Sequence, residues 1–493
     1  MSSRYYVACD LGAESGRVIL GTVAEGKVVL EELHRFPNGA IRVQGSLRWN
    51  LLGIFEELKV GLRKVAARKV SVSSLSVDSW GVDYALFNQR QPLVAMPYQY
   101  RDSRTEKTYS DALKNVGREK IFAETGIQFM AINTLYHLIA DVENNPDVVG
   151  IADQFLTIAD YMHYLFCGAA KNEISLASTT QLMNPSTGQW STELIREFNL
   201  PERLFPPIVD SGTTLGPLTS ELVADTGLTD VQVIATCSHD TGAAVAAVPA
   251  EAGDDWAYLS SGTWSLIGVE LPEPLINEAV RESNCTNEAG FGGTTRFLKN
   301  IVGLWLLQES RRMWKRQGHD YDYTEINKLA EAAEPFRSLI HPADSRFMSP
   351  DDMTVAIADY CRETDQPVPE TPGQFARCIM ESLALLYGQT LDTFETLTNR
   401  KIKRLHIVGG GSQSQLLNQL AASASGRTVL SGPVEATAIG NVLLQAIALG
   451  DIDSLEDVRS LVRQSFSIET FQPEGSPEWE KTVQRFTNLK CTP

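Results

Sequence analysis

A strand, a turn of small residues and a second strand occur twice in this chain, once at its start and once after its middle. The first copy predicts strands at 5–9 and 17–23 around a turn at 12–16. The second predicts strands at 256–259 and 264–270 around a similar turn. A protein that repeats such a unit is constrained to two related domains, because each copy needs its own sheet and its own covering helix.

A helix and a buried strand follow the hairpin in each copy. Apolar residues at helical spacing predict an amphipathic helix over about 49–67, ahead of a strand at 70–77. In the second copy, Thr371 and Pro372 are typical of a helix start, and a strand at 405–408 follows that helix. We therefore predict an α/β protein with two domains, residues 1–242 and residues 243–493.

A polar turn lies between the two copies. The β-branched run at 231–236 leads into Ser238, His239, Asp240 and Thr241, and an Ala-rich helix is expected after them. Ligands of α/β sheets bind at the carboxyl ends of strands. We therefore expect this turn and the two hairpin turns to face one central cleft between the domains.

Charge and composition exclude several classes of protein. The net charge of −18 repels nucleic acid and anionic lipid, and no apolar run reaches the length of a membrane span. The start of the chain lacks the pattern of a signal peptide. Seven cysteines without C-x-x-C spacing favour a reducing cytoplasm and no structural zinc; pairing of Cys361 with Cys378 stays open, although free thiols are favoured.

Familiar catalytic motifs are missing. The sequence contains no P-loop, no H-E-x-x-H, no G-x-S-x-G and no protein-kinase signature. A dinucleotide fold is also disfavoured, because the glycine-rich stretch at 290–296 lacks the third glycine and follows no clear strand.

The two hairpin turns could bind phosphate. Small residues at 10–17 and at 260–265 let backbone N–H groups approach an anion closely. One such turn is more often a plain hairpin, but two of them, one in each repeat, can hold a polyphosphate from both sides. Asp10 follows the first strand, where a carboxylate can hold a metal ion through water.

Asp240 has two interpretations. It could cap the following helix, or it could act as the general base that takes the proton of a hydroxyl during phosphoryl transfer. His239 could donate to a substrate or be a satisfied buried imidazole. The three glycines at 409–411 would let a flat ring lie against exposed backbone.

Taken together, these segments resemble the FGGY carbohydrate kinases, a family within the actin-like ATPase superfamily. The resemblance covers nearly the whole chain. The segments that carry it are DLGAESGR at 10–17, VDSWGVD at 77–83, YRDSR at 100–104, SHDT at 238–241, LSSGTWSL at 259–266, LKNIVGLWLLQ at 298–308, HIVGGG at 406–411 and GPVEA at 432–436.

The resemblance implies two RNase H-like domains flanking a central cleft, with ATP and Mg²⁺ as cofactors. It implies that Asp240 accepts the proton of the sugar, and that Asp10 lies near the metal ion. The residues it implies for ATP are Ala13, Glu14, Ser15, Gly16, Arg17, Thr263, Gln308 and Gly410, and those for the sugar are Gly81, His239, Asp240, Thr241 and Asn300.

Two of these positions have a second interpretation. Similar kinases commonly have Ser where this chain has Glu14, and a carboxylate would repel ATP phosphates. We therefore expect a backbone contact at Glu14, with its side chain turned outward or meeting the metal ion. Gln308 falls in an apolar, helix-like stretch and could instead be structural.

The resemblance also implies the reaction, which is transfer of the γ-phosphoryl group of Mg-ATP to the C1 hydroxyl of L-rhamnulose. The alternatives are another ketose, such as L-fuculose or D-xylulose, or a non-catalytic actin-like protein that binds nucleotide. We expect a small-molecule ketose and ATP as partners, with neither nucleic acid nor membrane, in the cytoplasm. The oligomeric state stays open.

Overall fold

Two large sheets contain most of the long strands. The computed structural model describes residues 3–251, 253 and 255–491. Its strands are β1 Arg4–Leu11, β2 Ser15–Ala24, β3 Lys27–Pro37, β4 Ile41–Val43, β5 Ser46–Arg48, β6 Val72–Ser79, β7 Tyr84–Phe87, β8 Gln154–Thr157, β9 Asn172–Glu173, β10 Met183–Asn184, β11 Gln189–Trp190, β12 Ile208–Val209, β13 Thr213–Pro217, β14 Gln232–Ala235, β15 Trp256–Ser261, β16 Trp264–Leu271, β17 Thr286–Ala289, β18 Thr295–Val302, β19 Arg404–Val408, β20 Thr428–Ser431 and β21 Glu469–Phe471.

Helices connect these strands, and short 3₁₀ turns lie at Glu202–Leu204, Phe291–Gly293, Ser345–Phe347 and Gly410–Gln413. The α-helices are α1 Leu51–Ala66, α2 Thr105–Asn115, α3 Arg118–Thr125, α4 Thr134–Asn144, α5 Pro146–Ile151, α6 Ile158–Cys167, α7 Ile174–Thr179, α8 Thr192–Glu197, α9 Ser220–Thr226, α10 Asp240–Ala246, α11 Glu278–Glu282, α12 Trp305–Arg316, α13 Tyr323–Ala332, α14 Met353–Glu363, α15 Pro372–Thr398, α16 Gln415–Ser425, α17 Ala436–Ala448, α18 Leu455–Ser465 and α19 Pro477–Thr487.

The same strand pattern is present in both sheets, as the internal repeat predicted. In the first sheet β1 runs antiparallel to β2 and parallel to β6, and β6 runs parallel to β14. In the second, β15 runs antiparallel to β16 and parallel to β19, and β19 runs parallel to β20. An antiparallel hairpin followed by parallel strands requires a helical crossover after the hairpin, which α1 and α15 provide.

The two crossover helices begin at polar caps. The Asn50 side chain accepts a hydrogen bond from the Gly53 N–H at the start of α1. At the start of α15, Thr371 forms a capping box with Gln374, and Pro372 occupies the first turn. The apolar stripe of α1 is buried, as its spacing predicted, so the sequence located this helix to within two residues at each end.

Contacts divide the chain into two compact units that are not continuous in sequence. Unit 1 consists of Met1–Pro249, Glu270–Phe297 and Ala436–Ser465. Unit 2 consists of Ala250–Val269, Leu298–Glu435 and Phe466–Pro493. The predicted division into residues 1–242, as a domain that binds the sugar and carries the first phosphate turn, and residues 243–493, as a nucleotide-binding domain, stays a prediction.

Helix α17 belongs to unit 1 although it lies late in the sequence. It packs on β1, β6 and α10. Its Gly440 lies so close to α10 that an added Cβ would be 1.9 Å from the carbonyl oxygen of Ala243. A side chain larger than that of glycine at position 440 would therefore overlap the backbone of α10.

Two further sequence expectations can be compared with the structure. All seven cysteines are free, including Cys361 and Cys378. Within residues 3–251, 253 and 255–491, no helix has the length and apolar character needed to cross a membrane.

Candidate active site

The first phosphate turn is a tight hairpin in unit 1. Leu11 of β1 pairs with Gly16 of β2, and the Gly12 N–H donates to the Ser15 carbonyl across the turn. The Asn38 side chain donates to the Gly12 carbonyl at 2.8 Å and fixes the turn from the side of β3. The hairpin therefore presents backbone N–H groups on a rigid loop, as a phosphate site requires.

Charged residues flank this hairpin. Asp10 lies near the end of β1, is 7% exposed and forms an ion pair with Arg17 of β2. Glu14 is exposed at the tip of the turn, and whether its side chain turns outward or meets the metal ion stays a prediction. The Arg17 guanidinium therefore places a positive charge beside a turn that also has the carboxylates of Asp10 and Glu14 nearby.

The loop that precedes α10 is held by buried polar residues. The Ser238 N–H donates to the Glu173 carboxylate at 3.1 Å, and the His239 N–H donates to the Ser175 hydroxyl at 3.0 Å. The Ser79 N–H, at the end of β6, donates to the Ser238 carbonyl at 2.9 Å. These bonds fix the backbone on both sides of the loop, so Asp240 starts from a defined position.

Burial raises the pKa of Glu173 to about 7, and the neighbouring Asp160 adds to this effect. Hydrogen bonds from Ser175 and Ser211 oppose it. Glu173 and Ser175 were not predicted as site residues, because they lie far from the loop in sequence and belong to no recognisable motif.

Asp240 combines burial with access. Its side chain is 30% exposed, so a substrate hydroxyl can reach it. Burial raises the pKa of the carboxyl above its usual range, whereas His239 and the Thr241 N–H oppose the shift. A carboxylate whose proton affinity is raised is a better general base than a solvated one. In the structure Asp240 is the first residue of α10 and does not occupy the cap position. His239 occupies that position, and its side chain makes no cap hydrogen bond.

Asp78 adds a third carboxyl group near Asp10 and Asp240. It is fully buried and pairs in register with Asp10 on the neighbouring strand. The Asn441 side chain of α17 donates to its Oδ2 at 2.6 Å, and Gln445 in turn donates to Asn441 at 2.7 Å. Burial, followed by the charges of Asp10 and Asp240, raises the pKa of Asp78 well above its usual range.

Among the described residues, Asp78 Oδ1 has no hydrogen-bond partner. Asp78 was not predicted as a site residue, although its position at the carboxyl end of β6 is one where α/β proteins bind ligands.

Gly81 lies just beyond β6, on a backbone that only a small residue fits. An added Cβ would lie 2.9 Å from the Thr179 hydroxyl. The next residue, Val82, has a φ of 69°, which is rare for a β-branched residue. Hydrogen bonds with Thr179 and Thr134 hold it there. A strained backbone that its surroundings fix is typical of a binding loop.

The second phosphate turn lies in unit 2, at the end of β15. Ser261 of β15 pairs with Ser265 of β16, and the Gly262 N–H donates to the Trp264 carbonyl at 2.9 Å. The Thr263 carbonyl accepts from the N–H groups of Gly303 and Trp305, where α12 begins. The turn is therefore joined to the helix start, and Gln308 lies on that helix with its buried Oε1 lacking a partner among the described residues.

The triple glycine lies next to this turn. An added Cβ at Gly411 would be 2.0 Å from the Ser261 hydroxyl, and Gly409 has a φ of 84°. An added Cβ at Gly410 would meet nothing within 4 Å. Two of the glycines are therefore needed for packing against β15, whereas Gly410 leaves open space above its backbone, as a flat ring requires.

The predicted residues thus fall into two groups. In unit 1 the structure places the hairpin residues 13–17, Asp10, Gly81 and residues 239–241 at the ends of β1, β6 and β14. In unit 2 it places Thr263, Gln308 and Gly410 at the ends of β15 and β19 and on α12. Asn300 lies on β18, in the part assigned to unit 2. Its contact with the sugar, like every other ligand role, stays a prediction.

Asp10 is the residue predicted to lie near a metal ion, and this role stays a prediction. No group of three His, Cys, Asp or Glu side chains in the described part of the chain could bind a metal. Mg²⁺ is usually held by one or two carboxylates together with substrate phosphates and water. Asp10, at the phosphate turn, is placed to act in this way.

A repeated α/β fold with a hairpin turn in each unit is the arrangement expected of the actin-like fold class. Comparison with known families agrees. Residues 5–247 match the N-terminal domain of the FGGY family of carbohydrate kinases, and residues 257–449 match its C-terminal domain. The chain therefore belongs to the FGGY family, and the predicted fold class, two RNase H-like domains, is confirmed.

Individual relatives narrow the comparison. The chain is 43% identical to a rhamnulokinase of Bacteroides thetaiotaomicron, with 98% of this chain and 99% of the relative covered. It is 42% identical to a rhamnulokinase of Enterococcus faecalis, with 96% and 95% covered. Among solved structures, it is similar to a xylulose kinase of Lactobacillus acidophilus, with a TM-score of 0.80, 17% identity, and 99% and 96% of the two chains covered.

Proposed function

We propose that this chain is an ATP-dependent kinase that phosphorylates the C1 hydroxyl of L-rhamnulose, giving L-rhamnulose 1-phosphate and ADP in L-rhamnose degradation. The observation that carries this proposal is the 37–43% identity to seven relatives named rhamnulokinase, over at least 94% of this chain. The geometry of Asp240 supports the chemistry, because a partly exposed carboxylate of raised pKa is suited to take a proton from an alcohol.

In the proposed reaction, Asp240 accepts the proton of the C1 hydroxyl while the sugar oxygen forms a bond to the γ-phosphorus of ATP. The bond between that phosphorus and the β–γ bridging oxygen breaks, and ADP leaves. Asp240 then carries the proton until it is lost to solvent. The raised proton affinity of Asp240 favours this transfer, because burial disfavours its ionised form.

Binding of ATP is assigned to both hairpins. Ala13, Glu14, Ser15, Gly16 and Arg17 would contact phosphate oxygens through backbone N–H groups and the Arg17 guanidinium. Thr263, Gln308 and Gly410 would contact the nucleotide from unit 2. Mg²⁺ would neutralise charge on the phosphates, and Asp10 would hold it, directly or through water.

The sugar is assigned to Gly81, His239, Thr241 and Asn300. A polar group that binds a hydroxyl of the correct sugar is left without a hydrogen bond when another sugar lacks that hydroxyl. Such sites therefore give large differences in kcat/KM between sugars. The strained loop at Gly81 and Val82 supports this assignment, because its backbone is fixed before any ligand arrives. The seven free cysteines support a cytoplasmic enzyme.

The test is a panel of ketoses assayed with Mg-ATP for release of ADP. The panel contains L-rhamnulose, L-fuculose and D-xylulose, and the product is examined for phosphate at C1. We expect L-rhamnulose to have the highest kcat/KM. A higher kcat/KM for L-fuculose or D-xylulose would make that sugar the substrate and would leave the assigned reaction unchanged. ADP release that no sugar stimulates would favour the non-catalytic alternative, an actin-like protein that only binds nucleotide.

A further inference from the structure

A buried ion pair lies behind His239 in unit 1. Arg296 of β18 is fully buried, and Glu288 of β17 is 4% exposed. The Arg296 Nη2 lies 3.1 Å from His239 Nδ1 and 3.2 Å from the nearer Glu288 carboxylate oxygen. That oxygen also lies 3.2 Å from His239 Nδ1. The guanidinium, the carboxylate and one ring nitrogen therefore form a nearly equilateral triangle.

The other ring nitrogen faces the proposed base. His239 Nε2 lies 3.5 Å from Asp240 Oδ1, which is an ion-pair distance. His239 thus stands between Asp240 on one side and the Glu288–Arg296 pair on the other. None of the segments that carried the family resemblance contains Glu288 or Arg296, so sequence analysis gave them no role.

The arrangement restricts where the proton of His239 can lie. A guanidinium can only donate hydrogen bonds, so when Arg296 donates to Nδ1, that nitrogen has no proton. The single proton of the neutral ring must then be on Nε2, where it faces the Asp240 carboxylate. The opposite tautomer would donate from Nδ1 to Glu288 and would turn the lone pair of Nε2 toward an ionised carboxylate, which is repulsive.

We propose that Glu288 and Arg296 are positioning residues for phosphoryl transfer: they hold the His239 proton on Nε2, so that His239 keeps Asp240 ionised and oriented toward the sugar. The proposal rests on the role of Asp240 as the base. Glu288 balances the buried guanidinium, and Arg296 occupies Nδ1. Gly242 packs tightly beside this contact, because an added Cβ there would lie 2.3 Å from the Cys237 sulfur and 3.3 Å from the guanidinium carbon of Arg296.

The charges around Asp240 and His239 determine in which direction each substitution changes the proton affinity of Asp240. The titratable and charged groups that face Asp240 or His239 are Asp10, Asp78, Glu288 and Arg296, with Arg17 paired to Asp10 and Cys237 beside Arg296. Removing the negative charge of Glu288 leaves a net positive charge behind His239. That charge stabilises ionised Asp240, so the proton affinity of Asp240 falls.

Removal of Arg296 has the opposite effect. The Glu288 carboxylate would then accept the proton of Nδ1, and the lone pair of Nε2 would face Asp240. Both the new negative charge and the changed tautomer disfavour ionised Asp240, so its proton affinity rises. Loss of either charge shifts the proton affinity of Asp240 in the stated direction by charge alone, so the tautomer of His239, measured in the second test, is the readout that distinguishes a positioning role.

The first test is the pH dependence of kcat/KM for the sugar in the intact chain. For Glu288→Gln, which keeps the shape of the side chain, we expect the acidic limb to move to lower pH by about one unit. For Arg296→Met we expect it to move to higher pH, and for the double variant to return toward that of the unaltered chain. Ionisation of ATP is common to all variants, so differences between them report on the protein.

The matched control is Glu270→Gln. Glu270 pairs with Arg459 at 2.7 Å in the same unit, and its loss changes the net charge by the same amount. We expect this variant to keep the pH profile of the unaltered chain. A uniform loss of activity in Glu288→Gln, with no movement of the limb beyond that of the control, would overturn the proposal.

The second test does not depend on activity, and it shows which ring nitrogen of His239 carries the proton even if Arg296→Met does not fold. NMR of isotope-labelled ring nitrogens separates protonated from unprotonated nitrogen, and His239→Gln identifies the signal among seven histidines. We expect a protonated Nε2 and an unprotonated Nδ1; the reverse result contradicts the proposal. If Asp240→Asn keeps its activity while His239 shows the expected tautomer, the proposed base is wrong and the contact geometry stands.

Discussion

Replacing Gly440 with Ala tests how strictly α10, and with it Asp240, is held in place. An added Cβ at this position would lie 1.9 Å from the Ala243 carbonyl oxygen and 2.6 Å from its carbonyl carbon. Both atoms are backbone, so no side chain can rotate away. One of the two helices must move, and Ala243 lies in the first turn of α10, which begins at Asp240.

The expected cost follows from two opposing terms. Overpacking of this kind costs about 1–3 kcal/mol, and the higher helix propensity of Ala returns about 1 kcal/mol. We therefore expect a net loss of about 0–2 kcal/mol in the free energy of unfolding, together with a fall in kcat of about 100-fold if Asp240 moves by about 1 Å.

Thermal unfolding and steady-state kinetics of the variant measure both effects. Gly150→Ala in α5 is the matched control for helix propensity, since an added Cβ there meets nothing within 4 Å; it should stabilise the chain by up to about 1 kcal/mol and leave kcat unchanged. If Gly440→Ala unfolds at the same temperature as Gly150→Ala and keeps its kcat, α17 does not fix α10 as the structure indicates.

Three further predictions concern other parts of the site. Because the pKa of folded Glu173 is about 7, against a usual value of 4.5, its contribution to stability is present below about pH 4.5 and is lost as the pH rises through 7. Between pH 5 and 8 the unaltered chain should lose about 3 kcal/mol in the free energy of unfolding by urea, and Glu173→Gln should lack this loss. An equal dependence of the unfolding free energy on pH in both proteins would contradict the prediction. Gly410→Ala should raise the KM for ATP without changing the unfolding temperature, whereas Gly411→Ala should lower the unfolding temperature, because only the second added Cβ overlaps Ser261; similar stability losses would refute the assignment. Thr263→Trp should weaken ATP binding, measured by calorimetry, much more than sugar binding, and equal losses would count against the second phosphate turn.

Local patterns located the two hairpins, their crossover helices and the strands that follow them. The hairpin strands, the start of α15 at Pro372 and the strand at 404–408 all follow from turns, caps and periodicity within a few residues of sequence. The membership of α17 in unit 1 does not, because its partners lie on β1, β6 and α10, more than 180 residues away in sequence. A small-residue pattern indicates that a helix packs closely, but it does not say against what.

The candidate site divides in the same way. Asp10, Gly81 and Asp240 lie at strand ends or turns, where position in the sequence already suggests a role. Glu173 and Arg296 were missed, because their contribution is a buried hydrogen bond or charge contact to the loop before α10. Such contacts arise only when the chain folds, and no spacing rule in the sequence announces them.

The central claim is that Asp240 takes the proton of the sugar, and Asp240→Asn tests it most directly. The amide keeps the shape of the side chain but has no proton affinity in the required range. We expect the variant to bind ATP, measured by calorimetry, as the unaltered chain does, and to release at least about 100-fold less ADP in the presence of L-rhamnulose. Turnover close to that of the unaltered chain would contradict the mechanism.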